Sequence, residues 1–479
     1  MISEKKKISP LVGTDKGLPY SPYDKDKKYF NFCDKEGRDQ KGQGETAKAE
    51  QIQTYCESRP KIEPRTAFSP GTSCLLHCDM NAYFASVETV LRPELKDLPV
   101  AVCGSQKARH GIVLAKSPAA KKAKVQTGET IQEAIGKCPD LIIVPPHYPA
   151  YTYFFQAAAE IYRRFTPNFQ SYGLDEFWLD ISNSHQLFGT AEETAWQVKE
   201  SIKSELGLTI SVGLSCNKIL AKLANDLSNP DSVYVLGPDH YPEQIANLPI
   251  ESLWGIGPAT KRRLNRYGIY TLGVLRQCPP DFLQRKLGLP GLKIWGWLHN
   301  QENSPVADHN ALPAPKSLSR GFTSAKDLVT LQEVQAFLQD LAEGLARALR
   351  EQDLQGKLLT LEVKDCELHR FSYRQRMPLP SNHAQDISQL AFQVFCDQHP
   401  FVLGIRAMRI MVQDLQKETY QDLEDFWGHK KAKAKIIDQV ADDLKKKYRK
   451  DILISASALF LPSTRPDNLG KMPIYPLEG

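Results

Sequence analysis

The chain has 479 residues, enough for about three or four domains of ordinary size, and 41% of them are hydrophobic, so sizeable cores are expected. The net charge of +5 is too small to indicate a partner. The ten cysteines include no CxxC pair, which argues against a zinc cluster, and they do not imply disulfides in a chain of this length. No run approaches the ~18 consecutive apolar residues of a membrane span, and no apolar export segment follows the lysine-rich N-terminus. We therefore expect a soluble, intracellular protein with no membrane partner.

Residues 1–70 are rich in Lys, Asp, Gly, Pro and Ser and lack periodic apolar runs, which predicts a largely disordered extension. The stretch from Tyr20 to Phe32 is unusually aromatic for a disordered segment. An arm that docks on a neighbouring domain is therefore an alternative interpretation.

From residue 74 to about 240, short apolar strands alternate with helices, which predicts an α/β domain. The first strand begins at Cys74 and ends at Asp79, and Asn81 is expected to cap the following helix. The apolar face of that helix is expected to carry Phe84, Val87, Val90 and Leu91. Further strands are predicted at 99–104, 112–115, 141–144 and 209–214, and further helices at 148–165, at 188–205 and from residue 215.

The segment from Gln170 to Ile181 is predicted to form an antiparallel hairpin with two carboxylates, Asp175 and Glu176, at its bend. A solvated two-residue turn is the simpler interpretation. If the strand that ends at Asp79 is a neighbour in the same sheet, three carboxylates converge. They could then hold two Mg²⁺ ions about 3.5–4 Å apart, the arrangement that drives phosphoryl transfer.

Basic residues follow the hairpin in two places. Lys218 and Lys222 share a face of a predicted helix, and Lys218 lies at its N-terminal turn, where free N–H groups favour an anion. An ordinary solvated lysine is the alternative. Residues 253–264 are predicted to form a helix-hairpin-helix, whose turn could bind a DNA phosphate without reading sequence. The turn glycines are Gly255 and Gly257, and the basic residues beside them are Lys261, Arg262 and Arg263.

A polar linker at 306–315 leads to a second α/β unit at 316–415, and a basic tail with a lysine-rich helix near 429–449 occupies 416–479. The order strand–helix–strand–strand–helix–strand predicts a small sheet backed by two helices. Basic residues on its strands and turns favour binding to a phosphate backbone, although solvated edge charges are an alternative. They are Arg320, Lys326, Lys364, Arg370, Arg374 and Arg376.

Three segments carry a resemblance to a known family. Residues 79–88 (DMNAYFASVE) are similar to the opening motif of the Y-family translesion DNA polymerases, in the DNA polymerase IV and kappa branch. Residues 172–180 resemble the second acidic motif of that family, and residues 212–222 resemble the third. The resemblance covers roughly 74–415 and implies an α+β multidomain, right-hand polymerase. It implies a palm with small fingers at 74–240 (the fingers at about 83–148), a helix-hairpin-helix thumb at 241–305 and a little finger at 316–415.

The resemblance also implies an enzyme, a low-fidelity DNA polymerase of translesion synthesis and repair. Asp79, Asp175 and Glu176 would be catalytic and, with the Met80 carbonyl, would bind two Mg²⁺ ions, for which Mn²⁺ would substitute. Phe84 would be the steric gate against a ribose 2′-hydroxyl. The residues expected to bind the nucleotide are Tyr83, Phe84, Ser117, Lys121 and Lys218. Those expected to bind DNA are Gly255, Gly257, Lys261, Arg262, Arg263, Arg320 and Arg374.

The implied partners are primer–template DNA and dNTPs, bound by a monomer in a bacterial cytoplasm or nucleoid, or in a eukaryotic nucleus. A sliding clamp is a further candidate, but a clamp-binding peptide is not evident. The segment Ala456–Phe460 has a Leu-Phe ending and lacks the leading Gln.

The fingers segment departs from the family pattern. Where relatives usually have Ser-Tyr-Glu-Ala-Arg, this chain has Ser117-Pro118-Ala119-Ala120-Lys121. Pro118 cannot replace a tyrosine hydroxyl, and Lys121 offers a point charge in place of a bidentate fork. A catalytically weakened DNA-binding scaffold is therefore the alternative function. A nucleotidyl cyclase is a third, but it would have no use for the thumb or the little finger.

Overall fold

The computed structural model describes residue 68 and residues 73–105, 111–301, 304–307, 315–417 and 428–448, without the side chains of 428–435 and 446. All of them belong to the larger of two compact units, Thr66–Gly479. The predicted extension at 1–70, apart from residue 68, lies outside the described residues, as do Ala456–Phe460 and most of the predicted linker. None of the described helices is long and apolar enough to cross a membrane.

Residues 75–235 alternate between strands and helices as the apolar periodicity predicts. In chain order the elements are β1 (Leu75–Met80), α1 (Tyr83–Leu91), β2 (Val100–Cys103), β3 (Val113–Lys116), α2 (Pro118–Lys122), α3 (Ile131–Lys137), β4 (Ile142–Val144), α4 (Tyr148–Phe165), β5 (Phe169–Tyr172), β6 (Glu176–Asp180), α5 (His185–Phe188), α6 (Ala191–Leu206), β7 (Ile210–Ser215), α7 (Lys218–Leu227) and β8 (Val233–Val235).

The central sheet has five strands in the order β5-β6-β1-β7-β8. β1 pairs antiparallel with both β6 and β7, and only β7 and β8 run parallel. Alternate residues of a strand face opposite sides. Leu76 and Cys78 of β1 therefore join the core beneath α4 and α6, whereas Leu75 packs towards Ala221 of α7 on the other side. The sheet is thus covered by helices on both faces.

A glycine lets α7 lie close to the sheet. A Cβ at Gly213 of β7 would lie 2.0 Å from the carbonyl oxygen of Ala221, so a larger residue cannot fit there without moving the helix. The Asn225 side chain then donates to the carbonyl oxygens of His77 (3.2 Å) and Ser211 (2.6 Å), on β1 and β7. These contacts fix α7 over the edge of the sheet where β1 ends.

Residues 100–144 add a three-stranded sheet in the order β3-β2-β4, with its own small core beneath α2 and α3. Residues 241–298 are helical and share a core with α7. They form α8 (Tyr241–Ile245), a 3₁₀ turn (Ile250–Ser252), α9 (Pro258–Asn265), α10 (Leu272–Gln277), α11 (Pro280–Leu287) and α12 (Leu289–Leu298).

The C-terminal unit has the predicted order of elements. It consists of β9 (Ser317–Leu328), α13 (Leu331–Arg350), β10 (Leu354–Asp365), β11 (Arg370–Ser381), α14 (Ala384–Gln398) and β12 (Ile405–Lys417). The antiparallel sheet, β11-β10-β12-β9, packs one face against α13 and α14. A lysine-rich helix, α15 (Gly428–Tyr448), contacts α13 through ion pairs of Asp442 with Arg347 (2.8 Å) and Arg350 (2.6 Å).

Three local predictions were wrong. Asn81 does not cap α1. The residue immediately before the helix is Ala82, which has a left-handed conformation (φ 50°). The side-chain amide of Asn81 donates a hydrogen bond to the Ser211 hydroxyl instead (2.8 Å). Val90 is exposed, because the buried face of α1 is formed by Tyr83, Ala85, Val87 and Glu88. The first arm of the predicted helix-hairpin-helix is a single 3₁₀ turn at 250–252.

Candidate active site

The three predicted carboxylates lie together at one end of the central sheet. The register of β1 and β6 places Asp79 directly opposite Glu176, so their side chains project on the same face. The turn between β5 and β6, where Gly173 has a φ of +76°, places Asp175 beside them, and the Met80 N–H donates to the Asp175 carbonyl (3.0 Å). Residues almost 100 positions apart in sequence thus form one acidic cluster.

Two of these carboxylates have raised pKa values. Burial, and then repulsion from Glu176 and Asp175, raises the pKa of Asp79 to about 7. Burial and the Glu176 charge raise the pKa of Asp175 to about 6. A divalent cation would relieve both effects, because it turns mutual repulsion into shared ligation. The oxygen donors are those that Mg²⁺ prefers, so the residues present fit such an ion.

Glu176 differs because a lysine neutralises it. The Lys222 ammonium lies 3.1 and 3.2 Å from its two carboxylate oxygens, and His77 Nε2 lies 3.4 Å from Oε2. Burial acts to raise the pKa of Glu176, but the contacts with His77 and Lys222 outweigh it and the pKa is lowered. Within the described part of the chain, no three His, Cys, Asp or Glu side chains are grouped closely enough to hold an ion as they stand.

His77 is a buried neighbour of Glu176. Its side chain is fully buried against Trp178, and burial lowers its pKa. Its Nε2 lies 3.4 Å from Glu176 Oε2, and this contact helps to lower the pKa of Glu176. Lys222 is therefore the principal counter-charge of Glu176.

Aromatic residues of α1, the helix that follows β1, pack against those of α4. Phe84 is half-buried and stacks on Tyr151, with ring centroids 4.2 Å apart, and it meets Tyr148 edge to face. Tyr83 is buried, and its hydroxyl donates to the Tyr151 carbonyl. The ring of Phe84 is thus held rigidly, whereas the side chain of Tyr83 is committed to the core.

Of the two residues of the fingers segment that were predicted to bind the nucleotide, one is buried and the other is exposed. Ser117 caps α2 and is buried, since its hydroxyl donates to the Leu98 carbonyl (2.8 Å) and accepts from the Val100 N–H (2.9 Å). Lys121 is exposed. Burial lowers the pKa of Lys116, and the charge of the nearby Lys121 lowers it further. Two ammonium groups at this position favour an anion.

Lys218 and Lys222 take different partners although they share a helical face. Lys218 donates to the Gln170 side chain (2.9 Å) and lies over the Trp178 ring. The Trp178 indole in turn donates to the Lys218 carbonyl (3.1 Å). Lys218 is therefore tied to β5 and β6, next to the carboxylates, and only Lys222 reaches Glu176.

The helix-hairpin-helix turn lies beside the acidic hairpin. Tyr172 of β5 contacts Trp254 edge to face, with centroids 6.2 Å apart. Gly255 has a φ of +88°, and Gly257, the residue before α9, has no atom within 4 Å of the position of an added Cβ. Such a turn can present backbone N–H groups to a phosphate. An added Cβ at Gly255 would meet the Trp297 ring at 3.3 Å.

The basic residues after the turn differ in the contacts that they make. Lys261 forms an ion pair with Glu251 (2.5 Å), and Arg263 donates to the Lys286 carbonyl (2.9 Å). Arg262 is exposed. The three side chains that the sequence groups together therefore have different environments, and only Arg262 is turned to solvent without one of these contacts.

In the C-terminal unit, the two predicted DNA-binding arginines lie on opposite faces of the sheet. Arg374 of β11 is exposed on the face that no described helix covers, beside Thr360 of β10. Arg320 of β9 points to the helical face instead. Its guanidinium packs over Gly344 of α13, where an added Cβ would lie 2.3 Å from Cζ. Arg320 is therefore unsuited to contact DNA, because it faces the core.

Sequence reasoning did not single out His77, which contacts Glu176, or Tyr151, on which Phe84 stacks. His77 precedes Asp79 by two residues, so the alternation of β1 could have placed it on the carboxylate face. Tyr151 lies in an aromatic helix with no signal that selects it.

Comparison with known proteins gives a consistent result. The model of the impB/mucB/samB family matches residues 78–226. The model of the C-terminal domain of that family matches residues 315–424, and the model of its helix-hairpin-helix motif matches residues 238–269. DNA polymerase IV of Acetivibrio thermocellus is 38% identical over 376 residues, 78% of this chain and 94% of that protein. DNA polymerase IV of Moorella thermoacetica is 33% identical over 80% of this chain and 96% of its own length.

Solved structures share the fold. A Y-family DNA polymerase chimera superposes with a TM-score of 0.64 at 22% identity, covering 72% of this chain and all of that one. An insertion ternary complex of Dbh DNA polymerase superposes with a TM-score of 0.52 and the same coverage. The expected α+β, right-hand polymerase architecture is confirmed by these neighbours.

The raised pKa values predict a pH-dependent stability of the ion-free protein. A carboxyl whose pKa is raised by folding stabilises the folded state at low pH, and that stability is lost as the pH rises from the unfolded value of 3.8 to the folded value of about 7. At pH 8, Asp79→Asn should therefore increase the free energy of unfolding by on the order of 1 kcal/mol or more and raise the melting temperature. At pH 4 the substitution should have little effect. The measurement is thermal unfolding in EDTA.

Asp239→Asn is the control, because Asp239 is exposed and its substitution changes the net charge by the same amount as Asp79→Asn. An Asp79→Asn protein that is no more stable than wild type at pH 8 would contradict the charge repulsion inferred here.

Proposed function

Because the chain belongs to the impB/mucB/samB family, whose members include the Y-family DNA polymerases of the polymerase IV branch, we propose that Asp79, Asp175 and Glu176 catalyse its nucleotidyl transfer with two Mg²⁺ ions. The protein is a DNA-directed DNA polymerase of translesion synthesis. The observation that supports this proposal is the meeting of three carboxylates at the end of β1, with raised pKa values at two of them.

The residues have distinct roles in this mechanism. Asp79, Asp175, Glu176 and the Met80 carbonyl would hold the ions. When bound, the ions would lower the pKa of the primer 3′-hydroxyl and neutralise the triphosphate and the leaving pyrophosphate. Lys218, fixed beside the carboxylates by Gln170, is placed to meet the triphosphate. Mn²⁺ is the expected substitute ion.

The sugar and the phosphates of the nucleotide would be recognised by different parts of the site. Phe84, held by its stack on Tyr151, would exclude a ribose 2′-hydroxyl. Lys121, with Lys116 beside it, would replace the Tyr and Arg that this chain lacks. Ser117 and Tyr83 would support the pocket through their buried contacts and would not bind the nucleotide with their side chains.

The domains follow from the same proposal. Palm and fingers would occupy 74–240, the thumb 241–305 and the little finger 316–415, with a linker at 306–315 and a tail from 416. Primer–template DNA would lie against the N–H groups at Gly255 and Gly257 and against the open face that carries Arg374. We expect the protein to act as a monomer inside the cell, as a relative of bacterial DNA polymerases IV. A sliding clamp stays a candidate partner.

The alternatives are less well supported. A scaffold without activity has no use for three half-buried carboxylates, two of whose pKa values are raised by burial and then by mutual repulsion. A nucleotidyl cyclase has no use for the helix-hairpin-helix motif or for the C-terminal domain that the family models match. The altered fingers segment therefore points to weaker nucleotide binding rather than to loss of catalysis.

Primer extension tests the catalytic assignment. With Mg²⁺ and four dNTPs, wild type should extend a primer, and Asp175→Asn and Glu176→Gln should each reduce the rate on the order of 1000-fold, because each removes charge that would stabilise the transition state. Asp180→Asn on the same hairpin is the control, since Asp180 bonds to Ser182 at the far end of β6. Variants that bind DNA and extend at the wild-type rate would refute the assignment.

Phe84→Ala tests the sugar gate. Removing the ring should open space at the 2′ position and raise the efficiency of ribonucleotide insertion by at least about tenfold relative to dNTP insertion. Single-nucleotide insertion with matched dNTP and rNTP pairs measures the ratio. Val90→Ala, on the exposed side of the same helix, should leave the ratio unchanged. If Phe84→Ala also leaves it unchanged, another residue selects the sugar.

Arg374 and Arg320 form a matched pair for DNA binding. Arg374→Ala should weaken binding and reduce the slope of log affinity against log salt by up to about one unit, because one phosphate contact is lost. Arg320→Met should leave the slope unchanged, because its guanidinium packs on α13. Fluorescence anisotropy over a salt series gives both slopes. A reduced slope in Arg320→Met alone would contradict the prediction, because it would mean that DNA contacts the face of Arg320 and not that of Arg374.

A further inference from the structure

Lys222 occupies the position from which a cation neutralises Glu176. It is buried on α7, and its ammonium contacts both carboxylate oxygens at 3.1 and 3.2 Å. A second carboxylate, Asp226, lies one helical turn further at 3.8 Å and is 45% exposed. The ammonium thus has one buried partner and one partner near solvent.

This contact conflicts with ion binding. The bridge uses both oxygens of Glu176, whereas a carboxylate that ligates Mg²⁺ must direct an oxygen at the ion. A lysine ammonium and a divalent ion at the same carboxylate also repel each other strongly in a partly buried site. Among the described residues, Lys222 forms ion pairs with Glu176 and Asp226 and none with Asp79 or Asp175. The competition therefore concerns Glu176.

We propose that Lys222 competes with Mg²⁺ for Glu176, acting as a built-in counter-ion of the ion-free site that moves towards Asp226 when the ion binds. Lys222 is a positioning residue, since it acts through Glu176. It lowers the affinity of the ion-free protein for Mg²⁺ and so raises the ion concentration at which the site fills. This inference rests on the proposed function, because it takes the carboxylates to be the metal site.

The geometry makes the exchange local. Lys222 and Asp226 are four residues apart on one helix, so the ammonium can change partner through side-chain rotation alone. The backbone of α7 stays fixed, because Gly213 and the Asn225 hydrogen bonds hold the helix on the sheet. Lys218 does not take the place of Lys222, since it is bonded to Gln170 (2.9 Å).

Calorimetry on the full chain without DNA or nucleotide tests the competition. Mn²⁺ and Mg²⁺ should each bind Lys222→Gln about tenfold more tightly than wild type, because the substitution removes a positive charge beside the ion. Lys222→Arg keeps the charge and should bind within about twofold of wild type. Lys137→Gln is the matched control, because it breaks the Lys137–Glu129 pair, which involves none of the three carboxylates. Unchanged or weaker binding by Lys222→Gln would overturn the proposal.

Wild-type protein supplies a second measurement that does not depend on a folded variant. Saturating Mg²⁺ should increase the rate at which an acylating reagent modifies Lys222 several-fold, as detected by mass spectrometry, because the ammonium leaves its buried partner. Lys199, buried and paired with Asp231 at 2.8 Å, is the internal control and should keep its rate. A Lys222 rate that does not change with Mg²⁺ would also overturn the proposal.

Asp79→Asn separates this inference from the proposed function. If Asp79→Asn binds ions as wild type does, the carboxylates are not the metal site and both proposals fail. If Asp79→Asn loses binding while Lys222→Gln matches wild type, the metal site stands and only the competition by Lys222 is refuted.

Discussion

The register between β1 and β6 is the constraint on which the site depends. Side chains alternate along a strand, so a slip of one residue would turn Asp79 away from Glu176 and expose the core side of β1. The apolar residues at Leu76 and Cys78 prevent that slip, because burying them requires the observed face to point inwards. The core therefore positions the carboxylates, although none of its side chains takes part in the chemistry.

The electrostatics follow from this placement. Carboxylates on adjacent strands at the end of a helix-covered sheet lose hydration and repel each other, which raises the pKa of Asp79 and of Asp175. Lys222, from the helix that crosses the sheet, forms its direct ion pair with Glu176. The site thus holds more negative charge than its own lysine balances, and this imbalance is what makes it suited to a divalent cation.

DNA would be held by surfaces that form independently of the carboxylates. The turn at Gly255–Gly257 lies next to the hairpin through the Tyr172–Trp254 contact, whereas Arg374 lies on a separate sheet. In both places some basic residues serve the fold: Arg320 packs on α13 and Arg263 bonds to a backbone carbonyl. Basic composition alone therefore overstates the number of side chains available to a phosphate.

The sequence by itself determined the order and type of most elements, because apolar periodicity and turn residues are local signals. It also identified Asp79, Asp175 and Glu176 as the acidic cluster, since each motif is contained in a few consecutive residues. Asn81 and Ser117 show the limit of local reasoning. One looked like a helix cap and bonds to another strand, and the other looked like a nucleotide ligand and caps a helix.

The tertiary structure decided which partner each charged side chain takes. Lys218 and Lys222 are indistinguishable by spacing, yet one reaches Gln170 and the other Glu176, 46 residues away in sequence. Arg320 and Arg374 are both strand arginines, and the packing of α13 on one face separates them. Such contacts depend on how distant segments pack against each other, and no short window of sequence contains that information.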